Sequence, residues 1–234
     1  SLLSQLEGQR LKADPGAYSV YCNDGFTLVQ ILVERVSGMD FTSFIHKSFT
    51  KPLGLTNTKT PVDKFDTNKL AKAYYPNYNG ELPVESVNVI GTGGIYATAE
   101  DMCKFSEIFM HEQKDILSNE ALKEMETNEA EKGIWVKDGD NSMEYGLGWD
   151  NMNAYPFNEY DIKALVKGGD THLYHGSLIV LPEHNMAAAV VSSGGASTYD
   201  QFLATTMLLE QLKAKGVINE IKPAKTPVVP VPAD

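Results

Sequence analysis

Lys167-Gly168-Gly169-Asp170-Thr171, running through His172-Leu173-Tyr174-His175 into Ser177-Leu178-Ile179-Val180-Leu181, decides the fold. A lysine opening a glycine-rich stretch just ahead of a continuous apolar run reads as one strand followed by a second, buried strand. A third apolar run, Ala187-Ala188-Ala189-Val190-Val191, follows at once and reads as a strand covered on both faces. The spacing predicts strands at about 163–168, 172–181 and 186–193. The next stretch, Tyr199 to Leu212, carries the helical period and predicts a closing helix with Phe202, Leu203, Met207, Leu208 and Leu212 inward.

The N-terminal half reads differently. Phe26, Leu28, Val29, Ile31, Leu32, Val33 and Val36 give a dense helical pattern that stops at Ser37-Gly38. Asp40 caps a second helix with Phe41, Phe44 and Ile45 on its apolar side, and Pro52 is expected to end it. Residues 56–90 lack periodicity, with Tyr74, Tyr75 and Tyr78 clustered near Pro76. Thr98 and Asp101 form a capping box for a helix carrying Met102, Phe105, Ile108 and Phe109. A further helix is expected at about 118–128. The expected class is α/β (α+β): an antiparallel sheet flanked by helices plus an all-helical lobe. One domain is expected over residues 1–216, with the helical lobe at about 20–125 and the sheet part at about 140–216. Residues 217–234 read as a Pro-rich linker or tail.

Composition bounds the partners. The chain has 234 residues, 42% of them hydrophobic, and a net charge of −11. A surface that acidic disfavours nucleic acid and anionic membranes. No apolar run approaches the 18 or so residues of a membrane span, and no signal peptide opens the chain. Cys22 and Cys103 are too few for a disulfide framework and read as unpaired buried thiols. His172 and His175 would point to opposite faces of one strand, so no metal is expected there. Asp138-Gly139-Asp140-Asn141 misplaces the glycine and distal glutamate of a calcium loop and reads as solvated. Gly91-Thr92-Gly93-Gly94 lacks the strand–turn–helix setting of a dinucleotide site. Trp149, Tyr155, Phe157 and Tyr160 are either a cleft wall or core. No cofactor is expected.

The chemistry gathers on two stretches. In Tyr21-Cys22-Asn23, a phenol becomes a usable base when cations lie nearby, and an amide can orient a substrate. Lys167 on a strand supplies a fixed cation. Gly168 and Gly169 let an acyl group approach the backbone, and the N–H of Asp170 is the expected oxyanion donor.

Five segments in order carry a resemblance: Pro15-Gly16-x-Tyr18-Ser19-x-Tyr21-x-Asn23; Pro52-Leu53-Gly54-Leu55-x-x-Thr58; Gly93-Gly94-Ile95-Tyr96-Ala97-Thr98-Ala99-x-Asp101-Met102; Tyr145-Gly146-Leu147-Gly148-Trp149; and Lys167-Gly168-Gly169. Together they resemble the serine β-lactamase-like family of class C β-lactamases, D,D-peptidases and esterases, over about residues 14–212. The resemblance implies a β-lactamase/transpeptidase-like fold and acylation of a serine in Ser-x-x-Lys. It implies catalytic roles for Tyr21, Asn23 and Lys167, and substrate contacts at Gly168, Gly169, Asp170, Thr171 and His172. It also implies work outside the cytoplasm on D-Ala peptides, β-lactams or small esters.

The nucleophile is expected outside this chain. In the family it precedes Tyr-x-Asn by several dozen residues, and neither Ser1 nor Ser4 has a lysine three positions on. Ser48-Phe49-Thr50-Lys51 follows the tyrosine motif instead, and Pro52 is expected to spoil helical geometry at Lys51. The chain therefore reads as N-terminally truncated, with an unpaired sheet edge. That edge would need the missing segment of the same domain, or a homodimer partner. The competing expectation is a binding or sensor module that kept the fold without turnover. Gly168 in place of Thr or Ser, and His172 to His175 in place of the family's Pro-Gly, leave the substrate open.

Overall fold

The computed structural model describes residues 2–17, 19–75, 77–110, 116–129 and 144–224. Ser1, Tyr18, Pro76 and the Asp138 to Asn141 stretch lie outside them. Three antiparallel strands, β1 (Leu165–Asp170), β2 (His175–Leu181) and β3 (Met186–Ser192), form one sheet in that order. β1 pairs with β2 from Leu165↔Val180 to Asp170↔His175. Its start and end lie two residues later than the periodicity suggests. β2 starts at His175, three residues late, because Thr171 takes the turn: its N–H donates to the carbonyl of Tyr174 at 2.9 Å.

Both faces of the sheet are buried, which is why β2 reads as an unbroken apolar run. Val166, Ile179, Leu181 and Ala188 pack with Phe157, Ile162 and the closing helix α8 (Ser197–Ala214). Leu165, Leu178 and Val180 pack on the other face with Ile108, Phe109, Trp149 and Met152. Alternation along β1 therefore turns Lys167 toward the helical lobe and Gly168 toward α8. Trp149 and Phe157 are core residues of opposite faces, 4% and 0% exposed, and not cleft wall. Trp149 stands edge-on to Phe109 with ring centroids 4.8 Å apart. Gly146 makes room beside it, since a Cβ there would lie 2.3 Å from the carbonyl oxygen of Met125.

The helical lobe holds α1 (Leu2–Leu6), α2 (Asn23–Ser37), α3 (Phe41–Ile45), α4 (Lys51–Leu53), α5 (Ile90–Gly93), α6 (Ala99–Ser106) and α7 (Asn119–Met125). Cys22 caps α2 through its sulfur, which accepts the N–H of Gly25 at 3.4 Å, and Gly38 ends the helix in the left-handed conformation. Both cysteines are free, and Cys22 is exposed, not buried. Pro52 does not stop the second helix at Thr50. A π-turn, His46–Thr50, widens the spiral, and Lys51 is helical with its N–H on the carbonyl of His46. The wider turn accommodates the residue that cannot donate. Thr98 caps α6 as expected, accepting from the N–H of Asp101 at 3.2 Å. Asp101 does not reciprocate. Its buried carboxylate takes the N–H of Asn57 at 2.8 Å and the hydroxyl of Thr58 at 2.9 Å.

α8 corrects one expectation. Leu208 and Leu212 face the core, with Ala204 and Leu209, but Phe202, Leu203 and Met207 are exposed. The helix is apolar on all sides, so its period does not reveal which side meets the sheet. Past it, Ile218 is buried in the same core and Ile221 packs against it. α2 has no buried residue, and Val29, Leu32 and Val36 are exposed. The outer edge of β3 has no partner strand among the described residues.

Candidate active site

Tyr21 lies just before α2 and Lys167 on β1, yet the two meet: the Lys167 ammonium is 5.9 Å from the centroid of the Tyr21 ring. Tyr21 is 59% exposed, so the pair faces solvent and is open to a ligand. Asn23 is the first residue of α2, also exposed. Its carbonyl accepts the Thr92 hydroxyl at 2.9 Å, and Thr92 and Thr27 share a hydrogen bond at 2.8 Å. The Gly91–Gly94 segment thus fixes the start of α2, and with it the Tyr21–Asn23 loop.

β1 is an edge strand, and residues 150–153 cover only its first half. The N–H of Asp150 donates to the carbonyl of Val166 at 2.9 Å, and the N–H of Val166 to the carbonyl of Asn151 at 2.8 Å. Asp150 then turns its carboxylate along the strand. One oxygen accepts both the N–H of Gly168 at 2.8 Å and the Lys167 ammonium at 3.1 Å. Lys167 also donates to the carbonyl of Gly168. The alternation of the ladder places the N–H of Asp170 on the same outer edge.

Gly168 and Thr171 are half-buried, while Gly169, Asp170 and His172 are exposed. The Asp170 carboxylate accepts from His175 Nδ1 at 2.7 Å, and from the N–H and hydroxyl of Ser197 at 2.8 and 2.5 Å. Partial burial pushes its pKa up, but the Ser197 and His175 hydrogen bonds outweigh that and hold it below the usual range. Ser197 fills the space a side chain at 168 would occupy: a Cβ on Gly168 would lie 3.1 Å from its oxygen. His172 sits in the turn and not on a strand, so the face argument against a histidine pair does not apply. Among the described residues no group of three or more His, Cys, Asp or Glu side chains is placed to hold a metal.

Glu85, from the aperiodic stretch, clamps that turn. Its carboxylate accepts the Thr171 hydroxyl at 2.7 Å and the N–H groups of Leu173 at 2.9 Å and His172 at 3.1 Å. Tyr174 donates to the carbonyl of Ala71 at 2.9 Å, and Ser193 to that of Lys72 at 2.8 Å. Ala71 and Lys72 on one side and Glu85 on the other are therefore strapped to the sheet beside the site. Partial burial raises the Glu85 pKa, but the Thr171, His172 and Leu173 hydrogen bonds more than offset it and leave it lowered. A lowered folded pKa contributes stability above the unfolded value, lost as pH falls through the folded one. Amide exchange at His172 and Leu173, corrected for intrinsic rates, is expected to be slow above about pH 5 and to accelerate below about pH 4. Unchanged protection down to pH 3 would contradict the clamp.

Asp150, Glu85 and Ser197 escape the sequence reading. Asp150 directly follows the Tyr-Gly-Leu-Gly-Trp segment, and that adjacency was its available signal. Glu85 lies where no period marks it.

The β-lactamase family profile matches residues 1–212. The chain belongs to the β-lactamase family, the group of serine hydrolases that includes penicillin-binding proteins. It is 27% identical over 192 residues to the Escherichia coli D-alanyl-D-alanine-carboxypeptidase/endopeptidase AmpH, covering 80% of this chain and 48% of that protein. It therefore spans about half the length of that relative. Among solved structures, it is similar to the octameric penicillin-binding protein homologue from Pyrococcus abyssi. The TM-score is 0.69 at 23% identity, over 91% of this chain and 48% of the other. It is also similar to a class C β-lactamase from Rhodobacter sphaeroides, with a TM-score of 0.67 at 16% identity, over 90% of this chain and 65% of the other. These two show the shared fold: helices and an antiparallel sheet.

Proposed function

We propose that this chain forms the tyrosine- and lysine-bearing part of a serine hydrolase that works through an acyl-enzyme. The observation that carries this reading is the approach of Lys167 to Tyr21 across the boundary between sheet and helical lobe. In the proposed reaction a serine oxygen attacks the acyl carbonyl, and its proton passes to Tyr21. The tetrahedral oxyanion rests against the N–H of Asp170. The bond to the leaving group then breaks, and the leaving group takes the proton from Tyr21. Water attacks the acyl-serine ester by the same route in reverse. Lys167 is the cation held beside the Tyr21 ring, and Asn23 orients the substrate. Gly168, Gly169, Thr171 and His172 line the path of the acyl chain.

The serine and its lysine come from polypeptide outside these 234 residues, in keeping with a relative of which this chain covers 48%. That segment docks where apolar surface stands open, on α2, α8 and the outer edge of β3. The family likeness supports a substrate range of D-Ala-ended peptides, β-lactams or small esters, met outside the cytoplasm.

Fluorescent penicillin tests the assignment. The isolated chain is expected to show no covalent label. Labelling returns when the chain is expressed with the upstream portion of its own reading frame, at a serine three residues before a lysine. Labelling of Ser48 in the isolated chain, or an extended protein that neither takes the label nor hydrolyses the neutral ester p-nitrophenyl acetate through that serine, would contradict the reading.

A further inference from the structure

The charges around β1 point to a narrower substrate class than the fold does. Lys167 is the one cationic side chain on β1, and the oxygen of Asp150 that holds it also takes the N–H of Gly168. Position 168 has no hydroxyl to offer, and the Ser197 hydroxyl beside it is already donated to Asp170. Asp170 lies two residues along the strand, about 7 Å at 3.3 Å per residue, inside the roughly 8 Å screening length of physiological salt. Its carboxylate is half exposed. Glu85 adds a third carboxylate at the end of the turn, farther off and weaker in effect. Lys72, whose backbone is strapped to Ser193, has its ammonium on Glu81. The chain's arginines, Arg10 and Arg35, lie in the N-terminal segment and the last turn of α2, so β1, its turn and the start of α8 carry no forked guanidinium of their own. The whole molecule carries −11.

An anionic group arriving at Gly168 to Asp170 thus meets an ammonium already compensated by one carboxylate, and a second carboxylate within reach. We infer that this site selects acyl compounds with no carboxylate next to the leaving group, that is, neutral esters and amides, and that Asp150 is the residue setting this selection. The inference rests on the proposed reading of the cleft as an acyl-compound site.

The probes are N-acetyl-D-alanyl-D-alanine and its C-terminal amide, which differ in that single charge. Binding to the full 234-residue chain is followed by NMR at pH 8. The amide is expected to bind at least about 10-fold more tightly than the acid, a gap of about 1.4 kcal/mol. Asp150→Asn is expected to close the gap to within about 3-fold by strengthening acid binding, and Asp150→Glu to restore it. A purely structural role for Asp150 would weaken both probes together. Equal or tighter binding of the acid, or a gap unchanged by Asp150→Asn, would overturn the inference. If neither probe perturbs Tyr21, Lys167 or Gly169, the reading of the site itself fails, and the selection falls with it.

Discussion

Phe157→Ala is expected to lower the unfolding free energy by about 3–5 kcal/mol, much of the 5–15 kcal/mol typical of a domain. Phe157 is fully buried where the sheet face of Val166 and Ile179 meets Leu208 and Leu212 of α8. Removing the ring loses its burial and leaves a cavity between two rigid layers, which cannot collapse around it. Phe202, on the opposite side of α8, is 70% exposed in this chain. Its replacement by alanine is expected to change stability by less than about 0.5 kcal/mol. Urea unfolding of both variants checks the orientation of the helix. A larger loss for Phe202→Ala than for Phe157→Ala would mean that α8 presents its other side to the sheet.

Lys167→Met is expected to weaken binding of the uncharged acyl probe by about 10- to 100-fold, with little effect on thermal stability. Methionine keeps most of the aliphatic stem and removes the charge. A hydrogen bond from a charged donor contributes about 1.5–3 kcal/mol, and each 1.4 kcal/mol is a factor of ten. The loss of the Asp150 contact costs little in stability, because both partners are about one-third exposed and water can replace the ammonium. Affinity within about 2-fold of the wild type would show that Lys167 stands outside the binding site.

Patterning made the sheet and the site's two anchors legible, and long-range polar contacts were hidden. The apolar runs of β2 and β3 survive burial on both faces, so strand composition alone marks them. Alternation then places Lys167 on the lobe side once Leu165 is known to face that way. The segments holding Thr58 and Asp101 meet where the Asp101 carboxylate accepts the Asn57 N–H and the Thr58 hydroxyl, which gives a physical reason for their occurring together. α8 was readable as a helix but not as an oriented one, since both sides are apolar. Pro52 misled, because the rule that proline ends a helix assumes regular α-spacing and the π-turn departs from it. Glu85 and Asp150 act from irregular backbone on residues 86–88 and 17–18 positions away, respectively. No local periodicity encodes such pairings.

Intermolecular nuclear Overhauser effects from bound N-acetyl-D-alanyl-D-alanine amide test the central claim most directly. Cross-peaks from one ligand to both the Tyr21 ring protons and the Lys167 ε-methylene protons are the predicted result. A ligand that binds and shows contacts to one of the two residues, or to neither, would contradict it.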